Sequence, residues 1–337
     1  MLHAANDTLE LSSVSPQYFW TATVYKALSL SCVPLFVMLS GLLLLQPAKA
    51  DEPIRVFLKK RLSRLGLAYA FWTAVYTGWS YYLGIYVTHT ISAVTWSNLG
   101  QAILFDLFQG AYYHFWFLYL IAGLYLITPI LRLVIAHGTR SVVRYLILLW
   151  FIVVAIVPVL QLASGLTLNP LLFAIGGWIG YYVLGVYLQQ VKPRSVVLYG
   201  LLVLGFAGTL VGVWLMNTPF SSLQQPDFFL DYLTANVVVG SAALFMLLLK
   251  FKPDWPGTNH RITSRVAQAI SKNTLPIYLF HVIILESFER GFFGFTLSVK
   301  TLNPIIEIPL ITVLTLFITL GLVLLMRKVP VLKKLIG

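Results

Sequence analysis

Residues 112 to 129 read YYHFWFLYLIAGLYLITP and hold no Lys, Arg, Asp or Glu. An uncharged and mostly apolar run of about this length is typical of a helix that spans a membrane. Rings crowd the start of the run, whereas an anchor at the headgroup level needs only one or two. They belong to Tyr112, Tyr113, His114, Trp116 and Tyr119. His114 is therefore a candidate site residue. The alternative is an interfacial aromatic belt whose histidine hydrogen-bonds a neighbouring helix.

The whole chain shares this character. Of its 337 residues, 59% are hydrophobic and 10% are charged, and the mean hydropathy is +0.85, whereas about a quarter of a soluble domain is charged. Apolar runs recur from end to end without a gap of soluble-domain size. We therefore predict an all-α, polytopic membrane helix bundle that forms a single domain over residues 1–337, with an external segment at 1–17 and the bundle at 18–337.

Charge and cysteine content exclude other classes. The net charge is +12, but the basic residues lie between apolar runs and form no stripe, so we expect membrane lipids and no nucleic acid as partners. Cys32 is the only cysteine, so the chain can form neither an internal disulfide nor a cysteine-based metal cluster.

Nine apolar runs predict nine spans, at 18–46, 65–87, 112–132, 142–160, 171–189, 196–216, 228–249, 267–288 and 304–326. Alternate connections hold 20 of the 23 Lys and Arg residues, which predicts an external N-terminus and a cytoplasmic C-terminus. An external start without a preceding cytoplasmic segment leads us to expect one further helix upstream, and so ten spans. Residues 89–111 hold no Lys or Arg and predict an outer loop with a short helix in the interface.

Two spans carry features that predict close packing. Pro34 predicts a kink in the first span, and Ser40 and Gly41 would let another helix approach closely. In the fifth span Gly176 and Gly180 lie four residues apart, a spacing that lets two helix backbones meet.

Two further histidines lie at or near span ends. His281 follows Tyr278 by three residues, so the two side chains share one helix face. An ionisable group in a span is a functional candidate by default, although a neutral histidine also serves simply to hydrogen-bond two helices together. His3 precedes the first span.

Basic residues cluster ahead of the second span, at Lys59, Lys60, Arg61 and Arg64. They would bind either lipid headgroups, which is common beside cytoplasmic helix ends, or a polyphosphate ligand. The sequence has no phosphate-binding glycine loop, GxSxG, HExxH or paired zinc ligands. Soluble-type hydrolases, NTPases and metalloproteases thus lose their support, and we expect no metal site.

Four blocks in this order resemble the acyltransferase-3 family of bacterial membrane proteins, within it the branch that includes the enterobacterial common-antigen O-acetyltransferase. They are VPLFVMLSG at 33–41, FLKKRLSRL at 57–65, YYHFWFLYLIAGLYLITP at 112–129 and LPIYLFH at 275–281. The resemblance implies a multi-pass O-acyltransferase of the bacterial inner membrane with no bound cofactor. It also implies a cytoplasmic acyl-CoA donor, acetyl-CoA above all, and a hydroxyl of a surface or lipid-linked glycan as acceptor.

The resemblance assigns His3 to the family's general base, a role that its ordinary pKa of about 6.5 suits. MLHAAND matches only the end of the family's first helix, in agreement with a missing upstream helix. Tyr278 and His281 resemble a late tyrosine and histidine of the family, for which a role in helix support also stays open. The branch commonly has an arginine where this chain has Leu30, so that role is not transferred.

At the donor side, Arg61 and Arg64 resemble the family's basic residues, and their guanidinium groups would hold the phosphates of CoA. At the acceptor side, His114 and Trp116 resemble its histidine-tryptophan pair.

A transporter of a glycan precursor or an acyl-bearing solute is the alternative function, because His, Lys, Pro and Gly within spans also suit a substrate pathway. We find no inverted pair of broken helices that would favour it. A partner subunit for glycan assembly is a third possibility if the short N-terminus is genuine.

Overall fold

A computed structural model of the chain describes residues 1–9, 15–91, 95–165, 177–217, 225–251, 260–298 and 301–337, without the side chains of residues 260–264. Within these ranges the chain forms helices and turns and no strand, which confirms the all-α class. In chain order the α-helices are α1 (Leu2–Leu9), α2 (Pro16–Ser29), α3 (Cys32–Leu44), α4 (Ile54–Tyr86), α5 (Trp96–Gln109), α6 (Trp116–His137), α7 (Arg140–Phe151), α8 (Val157–Ser164), α9 (Ile179–Leu188), α10 (Ser195–Met216), α11 (Ala235–Lys250), α12 (His260–Lys272), α13 (Thr274–Glu289), α14 (Pro304–Met326) and α15 (Pro330–Leu335).

Helical stretches long and apolar enough to cross a membrane recur along the chain. Among the described residues there are six, namely Pro16–Leu44, Trp96–His137, Arg140–Ser164, Ser195–Met216, Phe228–Lys250 and Pro304–Met326. The chain is thus a multi-pass membrane protein. The number of nine spans and the orientation of the termini stay predictions.

Backbone contacts divide the chain into two compact units. The first contains Met1–Glu52 and Ile127–Asp254, and the second contains Pro53–Leu126 and Trp255–Gly337. The division falls within α6, so this helix contributes its first half to the second unit and its last half to the first. A single functional domain over the whole chain stays a prediction.

In the first unit, part of the predicted external segment at 1–17, whose sequence is typical of a loop between spans, is helical. The interpretation of these residues as a loop is wrong, because Ala4, Ala5 and Thr8 lie on one side of α1 and are buried while α1 packs on α2. The external position of the segment stays a prediction.

At the predicted kink near Pro34 a two-residue turn, residues 30 and 31, separates α2 from α3 within the helical stretch Pro16–Leu44. Pro34 has no N–H to donate to the carbonyl four residues earlier, that of Leu30, so the helix is interrupted upstream of the proline itself.

Glycines bring α3 and α9 into backbone contact, as the sequence predicts for Gly41. A Cβ at Gly41 would lie 1.8 Å from the Tyr182 carbonyl oxygen, and one at Gly185 would lie 1.9 Å from the Met38 carbonyl oxygen. Gly180 accommodates the Trp150 ring instead of a second backbone. Gly176, its predicted partner, lies outside the described residues.

The third span was predicted to end near Arg132. Its helix, α6, instead continues to His137, and Arg132 is buried within it. Arg132 is 2% exposed. Its Nε donates to the Leu44 carbonyl oxygen at 2.7 Å and its Nη1 to Glu52 Oε2 at 2.9 Å. These contacts compensate the buried charge within the first unit.

In the second unit, α4 runs unbroken over 33 residues and joins the basic cluster to the predicted second span. The predicted short helix in the loop at 89–111 is α5, which exposes Trp96, Phe105 and Phe108. Asp106 of α5 accepts a hydrogen bond from Thr77 of α4 at 2.7 Å, which fixes one helix on the other. The position of α5 in a membrane interface stays a prediction.

The predicted eighth span at 267–288 is wrong in its bounds, because the helix breaks at Asn273. The Asn273 side chain donates to the Ala269 carbonyl oxygen at 2.6 Å. Asparagine favours helix ends because its side chain competes in this way for backbone groups. The apolar helix α13 therefore begins only at Thr274.

Candidate functional site

The entry to α6 is an irregular turn that places His114 inside the protein. Tyr112 is extended, residues Tyr113–Phe115 form one turn of 3₁₀ helix, and α6 begins at Trp116. This turn buries His114 and Phe115, which are 1% and 0% exposed, whereas Tyr113 before them is 52% exposed.

The chain brings Tyr278 and His281, both of α13, to this turn. The hydroxyl of Tyr278 donates to the backbone carbonyl oxygen of His114. The ring centroids of His114 lie 5.5 Å from Tyr278 and 5.6 Å from His281. His114 thus meets two residues that lie more than 160 positions later in the chain, within the second unit. We name His114, Tyr278 and His281 the histidine cluster.

The hydrogen bond of His281 determines which of its nitrogens is basic. Nδ1 lies 2.6 Å from the Tyr278 carbonyl oxygen. Because a carbonyl oxygen only accepts, Nδ1 carries the proton in the neutral ring, and Nε2 is left with the lone pair. Nε2 is therefore the atom through which His281 would accept a proton.

Tyr76 of α4 also lies against the His114 ring, with ring centroids 5.0 Å apart. Its hydroxyl donates to the Leu279 carbonyl oxygen at 2.8 Å, and its ring lies 4.7 Å from that of Tyr112. Tyr76 is fully buried. It therefore fixes α4, α13 and the turn before α6 around the histidine cluster.

Glu286 is a further candidate site residue, which the sequence interpretation missed. One carboxylate oxygen accepts from the Tyr112 hydroxyl, and the other accepts from Trp79 Nε1 at 2.7 Å. The signal was present, since Glu286 is an acidic residue inside an apolar run and such residues are functional candidates by default. Tyr76 carried no comparable signal, because its α4 run holds many aromatic residues.

Arg61 and Arg64 lie about one turn apart near the start of α4. Arg61 is partly buried, and no acceptor among the described residues reaches its buried Nε. Arg64 is exposed. The pair has the donors that an anion requires.

Trp116 and His3 are the two remaining predicted site residues. Trp116, in the first turn of α6, is 39% exposed, and its ring lies 6.0 Å from that of Phe117. His3 lies on α1 in the first unit, where it is half-buried.

The distance between the arginines and the histidine cluster follows from α4, which carries Arg61 near one end and Tyr76, beside His114, further along. Arg61 precedes Tyr76 by 15 positions on one helix, which at 1.5 Å per residue corresponds to about 22 Å along its axis. An anion held at the arginines would need an extended arm of that length to reach His114. Among the described residues, no group of three or more His, Cys, Asp or Glu side chains is placed to hold a metal ion.

Comparisons with known proteins agree with this arrangement at the level of the family. No curated protein and no solved structure matches the chain. The model of the acyltransferase-3 family, described as an acyltransferase domain, matches residues 1–324. Since this match covers nearly the whole chain, the protein belongs to the acyltransferase-3 family and is a membrane acyltransferase.

Proposed function

We propose that the protein is an O-acyltransferase that moves an acyl group, in the first place acetyl, from cytoplasmic acyl-CoA to a hydroxyl of a surface or lipid-linked glycan. The observation that carries the proposal is the histidine cluster, which joins two imidazoles and a tyrosine in a chain of this family. The branch of the common-antigen O-acetyltransferase supplies the proposed donor and acceptor classes. A bacterial inner membrane would give access to both.

The reaction requires little of the protein, because a thioester is already activated. An acceptor oxygen attacks the thioester carbonyl, the new C–O bond forms as the C–S bond breaks, and CoA leaves as the thiolate. A base takes the hydroxyl proton, and donors stabilise the oxyanion. Histidine is the usual base because its pKa lies near neutral pH.

His3 and His281 are the two proposed bases, and the assignments rest on different grounds. His3 is proposed from the family resemblance, whereas His281 presents a basic Nε2 beside His114. His114 and Trp116 would lie on the acceptor side, and Tyr278 would hold the His114 backbone.

Arg61 and Arg64 are proposed to bind the phosphates of the donor. Guanidinium groups suit this role because their planar donors match phosphate oxygens in pairs. The acyl-pantetheine arm would then extend along α4 towards Tyr76 and His114, over the separation of about 22 Å given above.

The test is acyl transfer from radiolabelled acetyl-CoA to lipid-linked and surface glycans in membranes that contain the wild-type chain, His3→Ala or His281→Ala. We expect label in the glycan fraction with the wild type, and its loss in the variant that lacks the true base. A version that starts further upstream tests the expected additional helix. If all correctly inserted versions fail with a panel of acceptors, the transporter becomes the better hypothesis.

A further inference from the structure

The second unit has an open pocket that the catalytic proposal does not use. It lies between α4, α13 and the turn that follows α13, and it is lined by Val75, Gly78, Trp79, Tyr82, Ile283, Ser287 and Phe292. Tyr82 and Phe292 are 43% and 41% exposed, so their rings are accessible from outside. A Cβ at Gly78 would meet no atom within 4 Å, which shows that the pocket is open at that position.

Three aromatic rings form the wall of this pocket. Trp79 and Tyr82 are stacked, with centroids 5.7 Å apart and planes at 22°. Phe292 stands across both, at 89° to Trp79 and 70° to Tyr82, with centroid distances of 5.8 and 5.9 Å. The wall therefore presents fixed ring faces and edges to any occupant.

Glu286 connects the pocket to the histidine cluster. Its carboxylate accepts from Trp79 Nε1 in the pocket wall and, through the other oxygen, from the Tyr112 hydroxyl. The Tyr112 ring lies 5.9 Å from that of His114. A ligand beside Trp79 would therefore lie on a continuous path of contacts that leads to the proposed reaction site.

The chemistry of the lining favours a sugar ring over an acyl chain. A pyranose has a C–H face that packs on aromatic rings and an edge of hydroxyl donors. Ser287 lines the pocket, and its hydroxyl donates to the Ile283 carbonyl oxygen at 2.6 Å, so its oxygen can still accept from a sugar hydroxyl. Glu286, which holds the wall through Trp79 Nε1, likewise has lone pairs beyond those that Trp79 and Tyr112 use. An acyl or isoprenoid chain has no donors and would cover the Ser287 oxygen without compensation.

We propose that the pocket lined by Trp79, Tyr82 and Phe292 binds a sugar ring of the acceptor, with Glu286 as the positioning residue that holds the pocket wall and Tyr112 together. This assignment rests on the proposed O-acyltransferase function, because it gives the sugar a place beside the histidine cluster.

The experiment fills the pocket from its open side with Gly78→Leu. Gly321→Leu is the matched control, since Gly321 is also an exposed helical glycine where a Cβ would meet no atom within 4 Å. Saturation-transfer NMR on the purified full-length chain measures binding of the methyl glycosides of glucose, galactose, mannose and N-acetylglucosamine. Farnesol is added as a competitor that represents an apolar chain.

We expect at least one glycoside to bind the wild type and the Gly321→Leu variant through its ring protons, and Gly78→Leu to weaken that binding about tenfold or more. Absence of binding by all four glycosides, equal binding by Gly78→Leu, or a pocket that takes farnesol and no sugar would overturn the assignment. The readout is independent of catalysis. If Gly78→Leu weakens sugar binding but the wild type transfers no acetyl group, the proposed enzyme is refuted and the pocket assignment stands. If the wild type transfers acetyl groups but Gly78→Leu binds sugar as well as the wild type does, the pocket assignment is refuted and the proposed enzyme stands.

Discussion

The Tyr278 hydroxyl donates a hydrogen bond to the backbone carbonyl of His114, which lies 164 residues earlier in the chain. The bond fixes the backbone and leaves the imidazole ring of His114 to interact with other groups. It therefore connects α13 to the irregular turn before α6 at the point where the proposed chemistry takes place.

Tyr278→Phe removes this bond and keeps the ring, which packs against Phe117 with centroids 5.3 Å apart. We expect a loss of about 1 kcal/mol in the free energy of unfolding, because one hydrogen bond is lost, and slower acetyl transfer because His114 is held less firmly. Thermal unfolding in detergent and the transfer assay measure the two effects. Tyr199→Phe, on the exposed face of α10, is the control, and an equal effect there would contradict the assignment.

His281→Ala tests whether Nε2 of this residue accepts a proton. If it does, the transfer rate at saturating substrate falls by about 10²–10⁴ while the KM for acetyl-CoA stays close to that of the wild type. His137→Ala, at the exposed end of α6, should leave both parameters unchanged. A fall in thermal stability that accounts for the whole loss of activity would instead identify His281 as a helix-supporting residue.

Arg61→Ala and Arg64→Ala test the donor site. Loss of one charge-assisted contact, worth about 1.5–3 kcal/mol, should raise the KM for acetyl-CoA roughly tenfold to a hundredfold while the maximal rate is retained. Lys59→Ala removes a charge from the same helix turn at an exposed position and should have a small effect. If the arginines bind lipid headgroups, the variants will change the dependence of activity on anionic lipid and leave this KM unaltered.

Gly185→Ala tests the contact between α3 and α9. Its methyl group would overlap the Met38 carbonyl oxygen, so one backbone must move. We expect a loss of about 1–3 kcal/mol, as for overpacked positions, visible as a lower midpoint of thermal unfolding. Gly200→Ala in α10, where a Cβ meets no atom within 4 Å, should keep or raise the midpoint because alanine favours helices. The hypothesis fails if the two variants behave alike.

The sequence was a good guide to features that hydropathy encodes and a poorer one to features that depend on local hydrogen bonding. The run at 304–326 is a helix with those same bounds, and Gly41 lies against a backbone as predicted. The break at Asn273 was not foreseen, since an apolar window averages over one polar side chain that bonds to its own backbone.

The candidate site shows the same division. Tyr278, His281 and His114 were predicted from their residue types and from the family resemblance, and the fold brings these three together. Glu286 was missed although an acidic residue inside an apolar run is a signal, and its partners, Tyr112 and Trp79, are distant in sequence. Only the fold reveals such a pairing.

The unbroken course of α4 has a consequence for how the site can change over evolutionary time. Because no proline or turn interrupts the helix, the distance and the angle between Arg61 and Tyr76 are both set by the number of residues between them. An inserted residue would lengthen the helix between them by about 1.5 Å. It would also rotate the Arg61 side chain by roughly 100° about the helix axis relative to the Tyr76 side chain. A longer or shorter donor arm could therefore be accommodated only by changes of about seven residues, or two turns, which keep both side chains on the same face of the helix.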